Sequence, residues 1–148
     1  MRTRLKICCI APRDEARLAV EAGADAPGLV SAMPSGLGVI PDATLAAVAA
    51  AVPPPAASVL LTSRTDPHAI AEQQRAAGTS TLQLVAAVAH SAHRQLTDLL
   101  PGVRRLQVVH LRMRATSGPR WATSRTGTVC SWTRETRTPG SRRWGHRP

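Results

Sequence analysis

The sequence has neither tyrosine nor phenylalanine, and its three tryptophans all lie after residue 112, so any aromatic stacking platform belongs to the last part of the chain. No apolar run reaches the roughly 18 residues that a membrane-spanning helix requires, which argues against a membrane partner. Residues 1–10 carry three charges and lack the apolar core of a secretory signal. Only three cysteines are present, two of them adjacent, and these make no disulfide framework. We therefore expect a cytoplasmic protein with reduced thiols.

Acidic residues are also scarce, at 9 against 19 lysines and arginines, and the imbalance is concentrated at one end of the chain. Residues 1–111 hold 10 basic and 8 acidic side chains, whereas residues 112–148 hold 9 basic and 1 acidic. A chain of 148 residues has room for one small domain. The composition predicts that residues 1–111 form this domain. Residues 112–148, rich in Arg, Thr, Gly and Pro, are predicted to be an irregular, disordered basic tail.

Within residues 1–111, β-branched and apolar runs alternate with segments of helical periodicity, and the connections are short. Gly23 and Gly78 stand where helices should stop, and Asp66 followed by Pro67 has the pattern of a helix start. Such alternation favours parallel βαβ units. Periodicity fits half of a (β/α)8 barrel and also a small open doubly wound sheet. The predicted strands are 4–10, 26–31, 57–62, 81–85 and 105–110, and the predicted helices are 13–22, 41–52, 66–77 and 91–100.

Lys6 and Cys8 are the first candidates for chemistry, because side chains two residues apart share one face of a strand. Cys8 lies near the C-terminal end of the first predicted strand, and in parallel barrels active sites assemble at that end. A neighbouring ammonium group stabilises a thiolate, which can then act as a general base. The competing interpretation is that Cys8 and Cys9 are small buried hydrophobes, as free cysteines often are. Spacing alone favours this second interpretation.

Several motifs nevertheless resemble those of one enzyme family. Lys6-Ile7-Cys8, followed by Ile10, is similar to the opening of phosphoribosylanthranilate isomerases. The Glu-Ala-Gly-Ala-Asp-Ala run at 21–26 resembles the turn that leads into their second strand. Gln83-Leu84 and the run at 106–110 resemble their fourth and fifth strands. The resemblance covers about residues 4–111.

This resemblance implies a partial (β/α)8 TIM barrel, with about five βα-type strands and four helices, followed by an irregular basic tail. It also implies an Amadori rearrangement of N-(5-phosphoribosyl)anthranilate to the 1-deoxyribulose phosphate, a step of tryptophan biosynthesis that needs no cofactor or metal. In that reaction an aspartic acid protonates the ribose ring oxygen, and a cysteine thiolate removes the proton at C2′. Cys8 matches the base, and Lys6 and Gln83 are candidate substrate-binding residues for the sugar phosphate.

The sequence departs from the family pattern at three places. Cys9 stands where the family has glycine, so we expect crowding in the turn beside the base. Leu37 stands near the place of an arginine that binds the anthranilate carboxylate. Val85-Ala86 replaces a histidine after Gln83-Leu84. These departures leave open another sugar-phosphate TIM-barrel enzyme of similar sequence.

The basic tail permits two further interpretations. Arginines together with Trp121, Trp132 and Trp144 are typical of a nucleic-acid contact, although no nucleic-acid-binding motif accompanies them and we do not expect this partner. The other interpretation is a slipped reading frame after residue 111. Trp has the single codon TGG, so the Thr133 codon read one base earlier gives aspartate, and the shifted frame permits Leu-Leu-Asp-Ser. The family's sixth strand presents its catalytic acid in this way, so the chain would then be truncated and inactive.

Overall fold

The structure, a computed structural model, describes residues 2–34, 37–112 and 126–133. Strands and helices alternate through the predicted domain, residues 1–111, and one further strand follows in the basic region. The elements are β1 Lys6–Ile7, α1 Arg13–Glu21, β2 Ala26–Val30, α2 Asp42–Ala49, β3 Val59–Thr62, α3 Pro67–Ala77, β4 Thr81–Leu84, α4 His90–Leu99, β5 Arg104–Arg112 and β6 Thr126–Thr133.

The sheet order settles which α/β architecture the chain adopts. The strands lie in the order β1-β2-β3-β4-β5-β6, and the strands from β1 to β5 are parallel to one another. A doubly wound sheet reverses its strand order at a switch point, and this sheet does not. The prediction of a partial (β/α)8 barrel with five βα-type strands and four helices is therefore confirmed.

The two faces of the sheet bury different residues. One face carries leucines of the central strands, including Leu29, Leu60 and Leu82, which pack against Ile70 and Leu96 of the helices. Each fully buried aliphatic side chain of this kind contributes about 1.5–3 kcal/mol. The other face, which we call the inner face, has a smaller buried cluster and no helix in it. This cluster contains Val30, Val59 and Leu61.

The third helix, α3, begins and ends at the residues that the sequence predicts. The carboxylate of Asp66 accepts a hydrogen bond from the backbone N–H of Ala69 at 2.7 Å, and Pro67 occupies the first turn. Gly78 ends the helix in the left-handed conformation, at φ 64°. A capping side chain of this kind contributes about 1 kcal/mol.

The first strand is shorter than its apolar sequence predicts. The sequence predicted a strand over 4–10, but β1 covers only Lys6–Ile7. Cys9 has a φ of 65°, which is incompatible with extended backbone and ends the ladder. Pro27, which has no N–H for a ladder, lies in β2 one residue before that strand's pairing with β3 begins at Gly28.

Part of the basic tail is also ordered into the sheet, which the sequence did not lead us to expect. Residues 126–133 form β6, which pairs antiparallel with β5 from Arg105↔Thr133 to Arg112↔Thr126. This strand covers the edge that β5 would otherwise expose. The rest of the predicted tail, including Trp121 and Trp144, lies outside the described residues. No helix in the described ranges is long and apolar enough to cross a membrane.

Candidate active site

The candidate site begins at the C-terminal end of β1, where Lys6 and Cys8 lie side by side as their spacing predicts. The ammonium nitrogen Nζ of Lys6 donates a hydrogen bond to Sγ of Cys8, and the two atoms are 2.6 Å apart. Cys8 and Cys9 are both exposed, so their interpretation as buried hydrophobes is wrong. A thiol held against a cation and open to solvent is the arrangement found at reactive cysteines.

Gly28 of β2 provides the space that this pair occupies. A Cβ built on Gly28 would lie 3.2 Å from Nζ of Lys6 and 3.3 Å from Cα of Cys8. Gly28 pairs with Val59, which belongs to the inner-face cluster. The Lys6–Cys8 pair therefore lies on the inner face of the partial barrel, the face where the resemblance places a catalytic base.

The turn after Cys8 shows the crowding that the replacement of glycine predicted. Cys9 adopts a φ of 65°, a left-handed conformation that costs a residue with a side chain about 1–2 kcal/mol. Its Sγ donates a hydrogen bond to the carbonyl oxygen of Leu37 at 3.3 Å. Gly38, itself at φ 69°, faces this cysteine, and a Cβ built on Gly38 would lie 3.0 Å from Cα of Cys9 and closer still to its Cβ. The loop after β2 is thus seated directly against the turn beside the candidate base.

Gln83 lies on the inner face as well, but on a strand three positions away from β1. It pairs in register with Leu61 of β3 and Leu106 of β5. Its side chain is only 7% exposed, and Oε1 has no hydrogen-bond partner in the part of the chain that the structure describes. A buried polar group without a partner costs about 1–3 kcal/mol. Oε1 of Gln83 is therefore a buried acceptor without a partner among the described residues.

Leu37 stands near the place where the resemblance leads us to expect an arginine. The Leu37 side chain is 86% exposed and brings no charge to the loop. The loop after β3 instead contributes Arg64, which the sequence analysis did not single out. Its Nη2 lies 3.4 Å from Oδ2 of Asp42. Arg64 follows the C-terminal end of β3 and so is a cation at the same end of the sheet as Cys8.

A buried hydrogen-bond network behind the sheet was also missed by sequence. The hydroxyl of Thr62, at the end of β3, donates to Oε1 of Gln73 at 2.8 Å. Nε2 of Gln73 donates to both carboxylate oxygens of Asp42, at 2.9 and 3.0 Å. The only signal in the sequence was an acidic residue in the first turn of α2. This network fixes α2 and α3 to the strand end that supports the loops of the site.

Asp25 holds the opposite end of the sheet and takes no part in the site. Its Oδ2 accepts a hydrogen bond from the backbone N–H of Leu5 at 2.9 Å, and Arg2 forms an ion pair with the same carboxylate. The Leu5 hydrogen bond, and then the nearby Arg2 and Arg4 guanidinium groups, hold the pKa of Asp25 below its ordinary value. Across the described ranges, no group of three or more His, Cys, Asp or Glu side chains is arranged to hold a metal ion.

Several solved structures that resemble this chain are of one enzyme. The isomerase of Thermotoga maritima superposes with a TM-score of 0.60 and 25% identity, over 66% of this chain and 47% of that one. The structures are phosphoribosylanthranilate isomerases. The enzyme of Thermus thermophilus matches with the same TM-score and identity, over 67% and 49% of the two chains. An isomerase in complex with reduced 1-(o-carboxyphenylamino)-1-deoxyribulose 5-phosphate matches likewise, over 66% and 50%.

The likeness to phosphoribosylanthranilate isomerases confirms the resemblance that the motifs indicated. This chain spans about half the length of the isomerase structures it matches. No family model and no curated protein sequence matches it. The shared architecture is therefore a structural finding, whereas activity and substrate are matters for proposal.

Proposed function

We propose that this chain carries the thiol part of an active site of the phosphoribosylanthranilate isomerase type, with Cys8 as the general base. The observation that carries this proposal is the contact between Nζ of Lys6 and Sγ of Cys8 on the inner face, at the C-terminal end of β1. The structural likeness to the isomerases supports it, because their fold includes the same alternating elements.

In the proposed reaction, the Cys8 thiolate removes the proton at C2′ of the ring-opened Schiff base. The electrons of the broken C–H bond form the enolamine, which tautomerises to the aminoketose. Lys6 keeps a positive charge beside the sulfur while it is anionic, and Gln83 offers its free Oε1 to a substrate hydroxyl. A positioned general base of this kind contributes about 10²–10⁴-fold to the rate.

Opening the ribose ring requires an acid, and the described residues do not offer one beside Cys8. Every acidic residue in the described ranges lies on a helix, at a helix cap, or in the turn before β2, and none lies on a strand. β6 occupies the place next to β5 but runs antiparallel to it. We therefore propose that the chain by itself supplies the base without the acid and is catalytically silent.

A second substrate has support from one observation, the uncharged side chain of Leu37. Without a guanidinium group there, the anthranilate carboxylate loses the partner that the family provides. Another sugar phosphate that undergoes aldose–ketose isomerisation would not need this contact. Arg64, on the next loop, is the cation available for either substrate.

The test uses protection of the Cys8 thiol from alkylation by iodoacetamide in the full chain. The reduced carboxyphenylamino deoxyribulose phosphate is the probe, ribose 5-phosphate is the competing probe, and Cys9→Ser removes the neighbouring thiol. At ten times its dissociation constant, a ligand that covers the sulfur slows alkylation about tenfold. Protection by the first probe supports the isomerase proposal, and protection by ribose 5-phosphate alone favours the second substrate. No protection by either at millimolar concentration contradicts both.

The proposed silence is tested separately by assaying the purified chain for isomerisation of N-(5-phosphoribosyl)anthranilate. Loss of one member of an acid–base pair costs about 10²–10⁴-fold. A rate within about 100-fold of an intact isomerase would show that an acid is present after all. Cys8→Ser is the matched control for any residual rate.

A further inference from the structure

The Lys6–Cys8 pair has a second property that acid–base catalysis does not use. The nucleophilic nitrogen Nζ of Lys6 is in direct hydrogen-bond contact with Sγ of Cys8. No water fits between them. Cys8 is exposed, so a small oxidant can reach the sulfur.

We propose that Lys6 and Cys8 form a peroxide-sensitive modification site, in which oxidation of the thiol ends in a covalent bond between Sγ and Nζ. The product is a sulfenamide, the class of compound that forms when a sulfenic acid meets a nitrogen nucleophile. This inference depends only on the contact between the two side chains and stands whether or not the chain is an isomerase.

The chemistry balances in two steps with hydrogen peroxide as the oxidant. The Cys8 thiolate attacks one peroxide oxygen and the O–O bond breaks, while the Lys6 ammonium gives a proton to the departing hydroxide. Cys8 is now a sulfenic acid, Lys6 is a neutral amine, and one water has been released. The amine then attacks the sulfur, the S–O bond breaks, and the leaving hydroxyl departs with an amine proton as a second water. Sulfur loses two electrons and peroxide gains them.

Lys6 is better placed than Cys9 to trap the sulfenic acid, although Cys9 is adjacent in sequence. The sulfur of Cys9 donates its hydrogen bond to the carbonyl oxygen of Leu37 at 3.3 Å. Its left-handed backbone places its Cβ against Gly38, in the loop after β2. Lys6, in contrast, is already in contact with Sγ of Cys8. The absence of a side chain at Gly28 leaves the space in which its amine lies.

Formation of the bond removes the thiolate and the ammonium charge together. Two equivalents of a small thiol reverse it: the first displaces the Lys6 amine and leaves a mixed disulfide on Cys8, and the second releases the Cys8 thiol. The modification would therefore act as a reversible block on any chemistry that Cys8 performs.

The test treats the full chain with hydrogen peroxide, digests it with trypsin without reductant, and examines the peptides by mass spectrometry. Trypsin does not cleave after a modified lysine. We therefore expect an uncleaved peptide spanning residues 5–13 that has lost two hydrogen atoms and reverts on treatment with dithiothreitol. A disulfide between Cys8 and Cys9 causes the same loss of two hydrogen atoms, but it leaves the peptide bond after Lys6 open to cleavage by trypsin.

Two variants separate the proposal from its competitors. Cys9→Ser should retain the uncleaved, oxidised peptide, because the second thiol is not required. Lys6→Arg keeps the positive charge but not the nucleophilic amine, so in this variant Cys8 should proceed to sulfinic acid instead. Cleavage after Lys6 in the oxidised wild type, loss of the product in Cys9→Ser, or direct formation of sulfinic acid in the wild type would each overturn the proposal.

Discussion

The contact between Cys9 and Gly38 gives the sharpest stability prediction, because a second glycine serves as its control. Gly38 and Gly78 have nearly the same backbone conformation, at φ 69° and 64°. A Cβ on Gly38 would meet the Cα of Cys9 at 3.0 Å and its Sγ at 3.2 Å, whereas a Cβ on Gly78 would meet nothing within 4 Å. Replacing either glycine by alanine therefore imposes the same backbone cost, but only the replacement of Gly38 creates a steric clash.

The expected magnitudes follow from these contacts. The left-handed conformation costs alanine about 1–2 kcal/mol, and the reduced entropy of the unfolded chain returns about 0.4–1 kcal/mol. Gly78→Ala should therefore lower the free energy of unfolding by about 1 kcal/mol. Gly38→Ala adds the clash with Cys9, and overpacking of this kind costs roughly 1–3 kcal/mol more. We expect a total of about 2–4 kcal/mol for Gly38→Ala.

The free energy of unfolding of both variants is measured by urea denaturation of the full chain, with circular dichroism as the readout. With a slope of about 2 kcal/mol per molar urea, a loss of this size moves the midpoint by roughly 1–2 M. The same substitutions in a Cys9→Gly background complete a double-mutant cycle. There Gly38→Ala should cost less than in the parent chain, because the contacts with Cβ and Sγ of Cys9 are gone and only the one with Cα, at 3.0 Å, remains. Equal costs in the parent chain, or no relief in the Cys9→Gly background, would refute the claim that Cys9 holds the loop.

Three further predictions concern other parts of the molecule. The pKa of Asp25 is lower in the folded state than in the unfolded state. The ionised carboxylate therefore stabilises the fold at pH values above the ordinary pKa of aspartate, and this stabilisation is lost as the pH falls through the lowered pKa. Asp25→Asn should accordingly flatten the acid limb of the stability curve below about pH 4, as followed by thermal unfolding at a series of pH values. Gln73→Leu removes the link between Thr62 and Asp42 and should cost about 1–3 kcal/mol in urea denaturation; an unchanged midpoint would mean that the network does not support the fold. Nucleotide sequencing of codons 108–148 should reveal an overlapping frame that encodes Leu-Leu-Asp-Ser; its absence would leave the slipped-frame hypothesis without support.

The repeated elements were predictable because local patterns and packing agree in them. In α3 the cap residue, the following proline and the closing glycine all lie where the sequence indicated, with Asp66 and Gly78 at the two ends. Parallel strands buried on both faces read as short apolar runs, and β3 follows this pattern. The choice between two α/β architectures could not be made from periodicity, because it depends on strand order, which is a property of the whole sheet.

The details of the candidate site were less accessible to sequence. Spacing placed Lys6 and Cys8 on one face, but the exposure of the Cys8 thiol is a property of the folded chain that spacing does not give. The shortening of β1 depends on the left-handed Cys9, and a residue with a side chain seldom adopts that conformation. β6 has the Thr and Val content of a strand but no clean alternation, so its pairing with β5 is decided by the available edge. Oε1 of Gln83 has no partner among the described residues, and the neighbours of Gln83 in register are leucines, which carry no side-chain donor.

The consecutive strand order has a consequence for how the chain is made. Each strand from β2 to β5 pairs with the strand synthesised just before it. A nascent chain leaving the ribosome therefore adds one strand and one helix at a time to a template that is already in place, without waiting for a distant segment. Stepwise growth of this kind lets a repeated α/β architecture be interrupted between units while the finished units keep their packing.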